Sequence, residues 1–205
     1  MSRPDPLIRG PRVFLRHPCD EDREEFLALR RASRALHEPW EPIPPDGSDP
    51  MSDEAFARFL LVANTAAMQK YLVCRNRDGV IVAYVGLGQI HFGPFCSCYM
   101  GYWTGEPHTG QGYATEGIAL CLERAFTELG LHRIEANIIP GNAPSLAVAR
   151  KCGFRKEGYS PRYLRIAGRW QDHERWALTV EDWQSDRASP TGTSKASEAS
   201  EPSEK

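Results

Sequence analysis

The sequence has six cysteines without a CxxC pair and six histidines without an HxxxH or HExxH spacing. No metal site is therefore expected. Cys96 and Cys98 are close, but two residues apart on a strand they share a face at a distance too great for easy bridging. Reduced thiols in a cytosolic protein are the expectation. Net charge is scarce as well: 25 Lys and Arg against 27 Asp and Glu leave −2. That balance argues against bulk neutralisation of phosphates, so no direct nucleic-acid partner is expected, although Arg30, Arg31 and Arg34 gather locally. No apolar run approaches the roughly 20 residues a membrane helix needs. The first residues, Met1 to Pro6, lack the apolar core of a secretion leader. A cytoplasmic location with no membrane partner is expected.

What the chain does have is ordinary globular composition, with 41% hydrophobic and 25% charged residues in a length of 205. That is enough for one domain with a substantial core, placed at residues 6–184. Residues 185–205 contain no large apolar side chain and cannot offset the entropy of ordering, so they are expected to form a disordered tail.

Within the domain, strand and helix signals alternate. Val13 to Arg16 reads as a strand. Asp20, Glu21 and Asp22 start a helix carrying Phe26, Leu27 and Leu29. Five prolines between Pro39 and Pro50 predict a loop or broken helix. Ser52, Asp53 and Glu54 then cap an amphipathic helix with Phe56, Phe59, Leu60 and Val62. Asn76 to Gly79 is hairpin-turn chemistry between two apolar runs, and Ser97 to Thr104 makes a third strand. A helix is predicted from Tyr113 to Leu129 with Gly130 as its cap. A strand at 134–139, a short helix at 143–152 and strands at 159–166 and 176–180 complete an α+β layout with a mixed, mostly antiparallel sheet and flanking helices.

The most informative segment joins a strand to a helix through Thr109-Gly110-Gln111-Gly112-Tyr113-Ala114-Thr115. Two glycines two apart let backbone N–H groups face outward, and the helix start adds partial positive charge. Small Ala114 permits close approach, and Thr115 offers a hydroxyl. Such a turn can hold a pyrophosphate without a lysine; taken alone it also fits a plain glycine turn. No GKS or GKT follows, which excludes a Walker A loop. A third glycine of a Rossmann fingerprint would fall at Thr115, which weakens that reading. About 30 residues later comes a second signal: Asn142, then Ser145, a short helix ending at Gly153-Phe154, and Glu157-Gly158 before a strand.

Together these stretches resemble motifs A and B of the GNAT acetyltransferases, over essentially all of residues 8–184. The resemblance is closest to the RimJ/RimL group, which acetylates the N-termini of ribosomal proteins, and within it to the RimJ-type alanine acetyltransferases. Glu38-Pro39-Trp40-Glu41-Pro42, Cys98 to Tyr102, His132-Arg133-Ile134, Gly153 to Tyr159, Gly168 to His173 and Asp182-Trp183 carry the likeness. It implies acetyl-CoA as co-substrate, no metal, and a sheet splayed between strands 98–104 and 134–139 to admit the pantetheine arm. Backbone groups at Trp103 and Thr104 and the side chain of Asn142 would hold the arm. Gly110, Gln111, Gly112, Tyr113, Ala114 and Thr115 would hold the pyrophosphate. The family usually opens this turn with Gln or Arg, and Thr109 departs from that, so weaker binding or cationic help from elsewhere is expected.

The reaction implied is direct attack of an amine on the thioester in a ternary complex, with positioning as the largest contribution. By the same likeness Ser145 would hydrogen-bond or protonate the CoA sulfur, unless it serves only as a helix-start serine. Glu135, on one strand face with Asn137, is the candidate base. Trp40, Glu41 and Tyr102 are the candidate substrate contacts, and Trp170 to His173 could form the opposite lip. The acceptor implied is a protein N-terminus, in a ribosomal protein for instance, with the enzyme a monomer or homodimer. Two other readings stay open: acetylation of a small amine such as an antibiotic or polyamine, and a non-catalytic CoA-binding module.

Overall fold

The computed structural model describes residues 3–188. Among these, nine strands form one sheet in the order β1-β2-β4-β5-β6-β7-β9-β8, with β3 pairing β4 off that path. The strands are β1 (Ile8–Arg9), β2 (Val13–Arg16), β3 (Asn64–Thr65), β4 (Met68–Arg75), β5 (Ile81–His91), β6 (Ser97–Thr104), β7 (Arg133–Ile138), β8 (Arg155–Ile166) and β9 (Arg169–Thr179). The helices are α1 (Arg23–Ala32), α2 (Arg34–His37), α3 (Asp53–Leu61), α4 (Tyr113–Thr127), α5 (Ala143–Lys151) and α6 (Val180–Ala188).

Both faces of the sheet centre are covered, which is why Tyr71 to Cys74 of β4 and Ile81 to Leu87 of β5 read as unbroken runs without a charged residue. On one face Tyr71, Val73, Val85 and Leu87 pack with Ile118, Leu122 and Ala125 of α4. On the other, Leu72, Cys74 and Ile81 pack with Phe26 of α1 and Phe56 of α3. Alternation along Tyr71 to Cys74 of β4 sends successive side chains to these two layers in turn. Ser52 caps α3 as predicted, its Oγ accepting from the Ala55 amide at 3.1 Å.

β6 and β7 are the one parallel pair in this order, registered only at Ser97↔Arg133, Cys98↔Ile134 and Tyr99↔Glu135. Beyond Tyr99 the two strands part while each keeps its antiparallel neighbour on the outer side, β6 with β5 and β7 with β9. The sheet therefore opens between residues 100–104 and 136–138, as the family resemblance implies.

The structure adds to the predicted outline at the ends. The last two strands begin earlier than their apolar patches, because β8 and β9 form a long hairpin whose edge strand β8 is largely exposed and whose β9 is buried mainly toward its end. The last helix runs through Ala188, so residues 185–188 of the expected tail are helical. The rest of that tail, 189–205, lies outside the described residues.

Candidate active site

The opening in the sheet leads into a cavity of about 700 Å³. Its walls come from β6 (Met100 to Thr104), the turn and first residues of α4, β7 (Ala136 to Ile138) and the start of α5. Leu36, His37, Trp40 and Glu41 close it from the segment after α1, and His173 closes it from β9.

The glycine turn has the backbone its sequence requires. Gly110 and Gly112 hold φ of +72° and +78°, a left-handed region that costs other residues about 1–2 kcal/mol each. Gly112 is also the N-cap of α4 and offers no side chain to cap it. The amides that open this 15-residue helix have no intrahelical acceptor and are available to an anion. Gly110, Gly112, Tyr113, Ala114 and Thr115 all border the cavity; Gln111 does not, and its Nε2 donates to the Pro107 carbonyl at 3.0 Å.

A cation does stand at this turn, from a part of the chain that sequence reading did not connect with it. Arg12 Nη1 donates to the Gln111 carbonyl at 2.9 Å, and its Nε pairs with Glu116 at 2.8 Å. Glu116 also accepts the backbone amides of Arg12 and Val13, at 2.7 and 3.0 Å. The acidic residue in the first turn of α4 is thus a bracket tying β2 to the glycine turn. Arg12 and Glu116 are 104 residues apart, and no local pattern announces the pair.

At the deep end, Tyr102 and Ser145 meet: the phenol oxygen lies 2.9 Å from Ser145 Oγ and donates to the Ser145 carbonyl at 3.1 Å. Burial pushes the Tyr102 phenol up to about 12, the Ser145 hydrogen bond opposing it, so the pair stays protonated near neutrality. Asn142 caps α5 by accepting from the Ser145 amide at 3.2 Å, which fixes the serine at the helix start. The capping bond uses Oδ1 and leaves the Asn142 NH₂ group to donate into the cavity.

The residues on the acceptor side are less independent than their sequence suggests. Glu41 makes a bidentate pair with Arg30 at 2.7 Å for each contact, so its charge is already balanced. Arg30 lies over the Trp103 ring at 5.1 Å and sits 2.9 Å from His37 Nδ1. His37 Nε2 in turn donates to the Thr104 carbonyl at 2.9 Å. That carbonyl therefore already accepts one hydrogen bond, from His37. Trp40 lines the cavity, with its ring near Gly141. The β8–β9 hairpin roofs this side, since the Ala167 amide donates to the Glu41 carbonyl at 2.9 Å. Of the expected lip, His173 borders the cavity, whereas Trp170 is an exposed side chain outside it.

Glu135 needs correction. It is 6% exposed, lies where β6 and β7 are still paired, and does not line the cavity. Arg133 Nε holds its carboxylate at 2.9 Å while also binding Glu157. Only Asn137, the next residue on that face, reaches the opening. Proximity in sequence to the cleft placed Glu135 one strand repeat too deep.

A parted pair of parallel strands beside a glycine-rich helix start defines a site for transfer of an acyl group from a CoA thioester. The cavity fits that co-substrate: left-handed glycines and open amides at one end, and a protonated hydroxyl pair at the other. Comparison with known proteins agrees. Residues 12–155 match the acetyltransferase (GNAT) domain family. A probable N-acetyltransferase, YjcK of Bacillus subtilis, is 30% identical over 86% of this chain and 98% of its own. The ribosomal protein uS5 alanine N-acetyltransferase of Escherichia coli is 29% identical over 88% of this chain and 94% of its own. The structure of Mycobacterium smegmatis RimJ in complex with CoA-disulfide superposes with a TM-score of 0.78 at 33% identity, covering 84% of this chain and 87% of that one. The chain belongs to the GNAT family and is an acetyl-CoA-dependent N-acetyltransferase.

Proposed function

We propose that this enzyme acetylates the N-terminal amine of a protein, with a ribosomal protein as the leading class of acceptor. The observation that carries this reading is the form of the acceptor side. Among the described residues, its one carboxylate at the cavity, Glu41, is neutralised by Arg30, so the described wall lacks the free negative charge that a polyamine or other polycation would call for. What lines it instead is Trp40, Leu36 and the exposed edge of β6, surfaces suited to an apolar first residue followed by extended backbone. The likeness to the E. coli ribosomal protein uS5 alanine N-acetyltransferase supports the same class.

Acetyl-CoA supplies the activated carbonyl and a good leaving group. The chain's own residues do the rest. The amides from Gly110 to Thr115 and the nearby Arg12 hold the pyrophosphate end, and Asn142 orients the arm. Trp103 and its neighbours on β6 present unpaired strand edge along the opening. Ser145, kept in place by Asn142 and Tyr102, donates toward the sulfur.

The test is turnover, read as CoA release with acetylated product confirmed by mass. Acceptors are short peptides beginning with Ala, Ser or Met, set against spermidine and an aminoglycoside. Peptide acetylation at the α-amine supports the proposal. Turnover confined to the small amines would replace it with the small-molecule reading, and tight acetyl-CoA binding without turnover would leave a CoA-binding module.

A further inference from the structure

Resting on that functional reading, we propose that His173 Nε2 is the general base that takes the proton from the attacking amine, with Asn137 Oδ1 holding the amine's other N–H. Two histidines are buried in the cavity wall, and they differ in what their ring nitrogens do. His37 is 7% exposed and uses both: one faces Arg30, the other the Thr104 carbonyl. His173 is 2% exposed and uses only Nδ1, 3.0 Å from the Gln171 carbonyl. A carbonyl can only accept, so Nδ1 carries the hydrogen and the neutral ring keeps its lone pair at Nε2. No protein partner for Nε2 occurs among the described residues.

Strand register places this nitrogen on the useful side. Asn137 of β7 lies opposite Arg175 of β9, so His173, two residues along, shares the face of Asn137. Tyr99 pairs with Glu135, which puts the odd-numbered residues of β6 on that same face. Tyr102 lies on the other face, where it meets Ser145 of α5. The cavity joins both faces through the opening in the sheet. A proton donor pair therefore stands on one side of the opening and an unprotonated imidazole on the other. Asn137 Oδ1 adds an independent sign: it is buried, it has no hydrogen-bond partner, and its residue lines the cavity. An unpaired buried acceptor costs about 1–3 kcal/mol, which an incoming N–H would relieve.

In the step, the amine nitrogen forms its bond to the acetyl carbon as the carbon–sulfur bond breaks. The nitrogen's proton passes to His173 Nε2. The sulfur leaves with the bonding electron pair and receives a proton from the Tyr102–Ser145 pair. Solvent then returns the proton from His173 to the hydroxyls.

The surroundings keep the ring neutral when free. Burial lowers its pKa, opposed by the Gln171 hydrogen bond and the charge of Asp172. From β8 it meets the Tyr163 ring, with centroids 5.6 Å apart. On its own strand lie Asp172, engaged by Tyr159 and the Arg162 amide, and Arg175. Glu135 of β7 is held by Arg133, and Glu41 across the cavity by Arg30.

The test uses the full chain with His173→Gln and His173→Ala, acetyl-CoA affinity, kcat against pH, and heteronuclear NMR of histidine-labelled protein. The proposal expects kcat to fall by about 100-fold or more with acetyl-CoA affinity kept within about threefold. It also expects loss of the low-pH limb and partial rescue of His173→Ala by added imidazole. The NMR of the unsubstituted protein should show the Nδ1–H tautomer. Kcat retained within about fivefold with an unchanged pH profile, or a proton found on Nε2 at neutral pH, overturns the base while leaving the transferase reading intact. No turnover by the unsubstituted protein on any acceptor overturns the functional reading and the base with it.

Discussion

An added methyl at either glycine of the phosphate turn separates what the turn's shape is worth from what its surroundings are worth. Gly110 and Gly112 have nearly the same φ, +72° and +78°, so alanine at either carries the same left-handed strain of about 1–2 kcal/mol. Their surroundings differ. A Cβ at Gly110 meets nothing within 4 Å, whereas one at Gly112 comes within 3.2 Å of Arg12 Nη2. Arg12 is tied to Glu116 and to the Gln111 carbonyl, so moving it weakens a half-exposed ion pair worth at most about 1 kcal/mol. Gly110→Ala should thus cost about 1–2 kcal/mol in total, and Gly112→Ala about 1–3, the larger of the two. If the substituted turn keeps its native backbone, the cost appears as lower thermal stability. If it relaxes when free, the cost appears on CoA binding, at about tenfold per 1.4 kcal/mol. Calorimetric Kd for CoA and two-state unfolding, measured on the same variants, give the sum. A sum near zero at both positions would refute the assignment of strain, and a larger effect at Gly110 than at Gly112 would refute the role given to Arg12.

Other outcomes follow from single contacts. Arg12→Ala should weaken CoA binding about fivefold in titration calorimetry, by removing up to about 1 kcal/mol of favourable charge at the turn. Thr109→Arg should gain little in the same assay, because Arg12 already stands there; a large gain would show that Arg12 leaves the pyrophosphate unserved. Gly117→Ala sets a methyl 2.6 Å from Val73 Cγ2 between α4 and the sheet, an overpacking cost of about 1–3 kcal/mol that denaturant unfolding would read. Asp22→Asn removes one half of a buried pair, since Asp22 accepts two bonds from Arg16 at 2.6 Å. Its cost should be about 3–5 kcal/mol and should lower Tm by about 10 °C. Burial pushes the Asp22 carboxyl up, but its bonds to Arg16 and to the Cys19 amide outweigh that and hold it below the ordinary value. The stability it adds is therefore complete above the unfolded value of about 4 and is lost as pH falls through the lower folded value. The variant should show a flatter acid limb in Tm against pH.

The glycine turn was legible because it is local: two glycines with a fixed backbone requirement lead straight into a helix. The splay between β6 and β7 was not visible in any periodicity and came only from likeness to the family, since parting of strands depends on what lies outside each of them. Ser145 and Asn142 stood out through the short helix they start, their expected roles came from the family likeness, and the structure joins them to Tyr102. Glu135 shows the limit of that reading: a strand face is readable from alternation, but the depth at which the face opens is not. Arg12 was missed as a member of the site for the same reason, and His173 was read only as part of a lip, with no chemical role. Arg12 reaches the turn across 104 residues of chain to Glu116, and His173 depends on a β9 that begins well before its apolar core. The pairing of Glu41 with Arg30 was equally silent, since ten residues of broken helix separate them without a fixed pitch.

The most direct measurement of the central claim is acetyl transfer itself, with acetyl-CoA and a peptide beginning with Ala, comparing the unsubstituted enzyme with Ser145→Ala and Tyr102→Phe. The account predicts α-amine acetylation, reduced by both substitutions, with a double variant no worse than the poorer single one because the two hydroxyls act as one unit. Undiminished transfer in the double variant would contradict the site described here, and transfer to spermidine alone would contradict the acceptor.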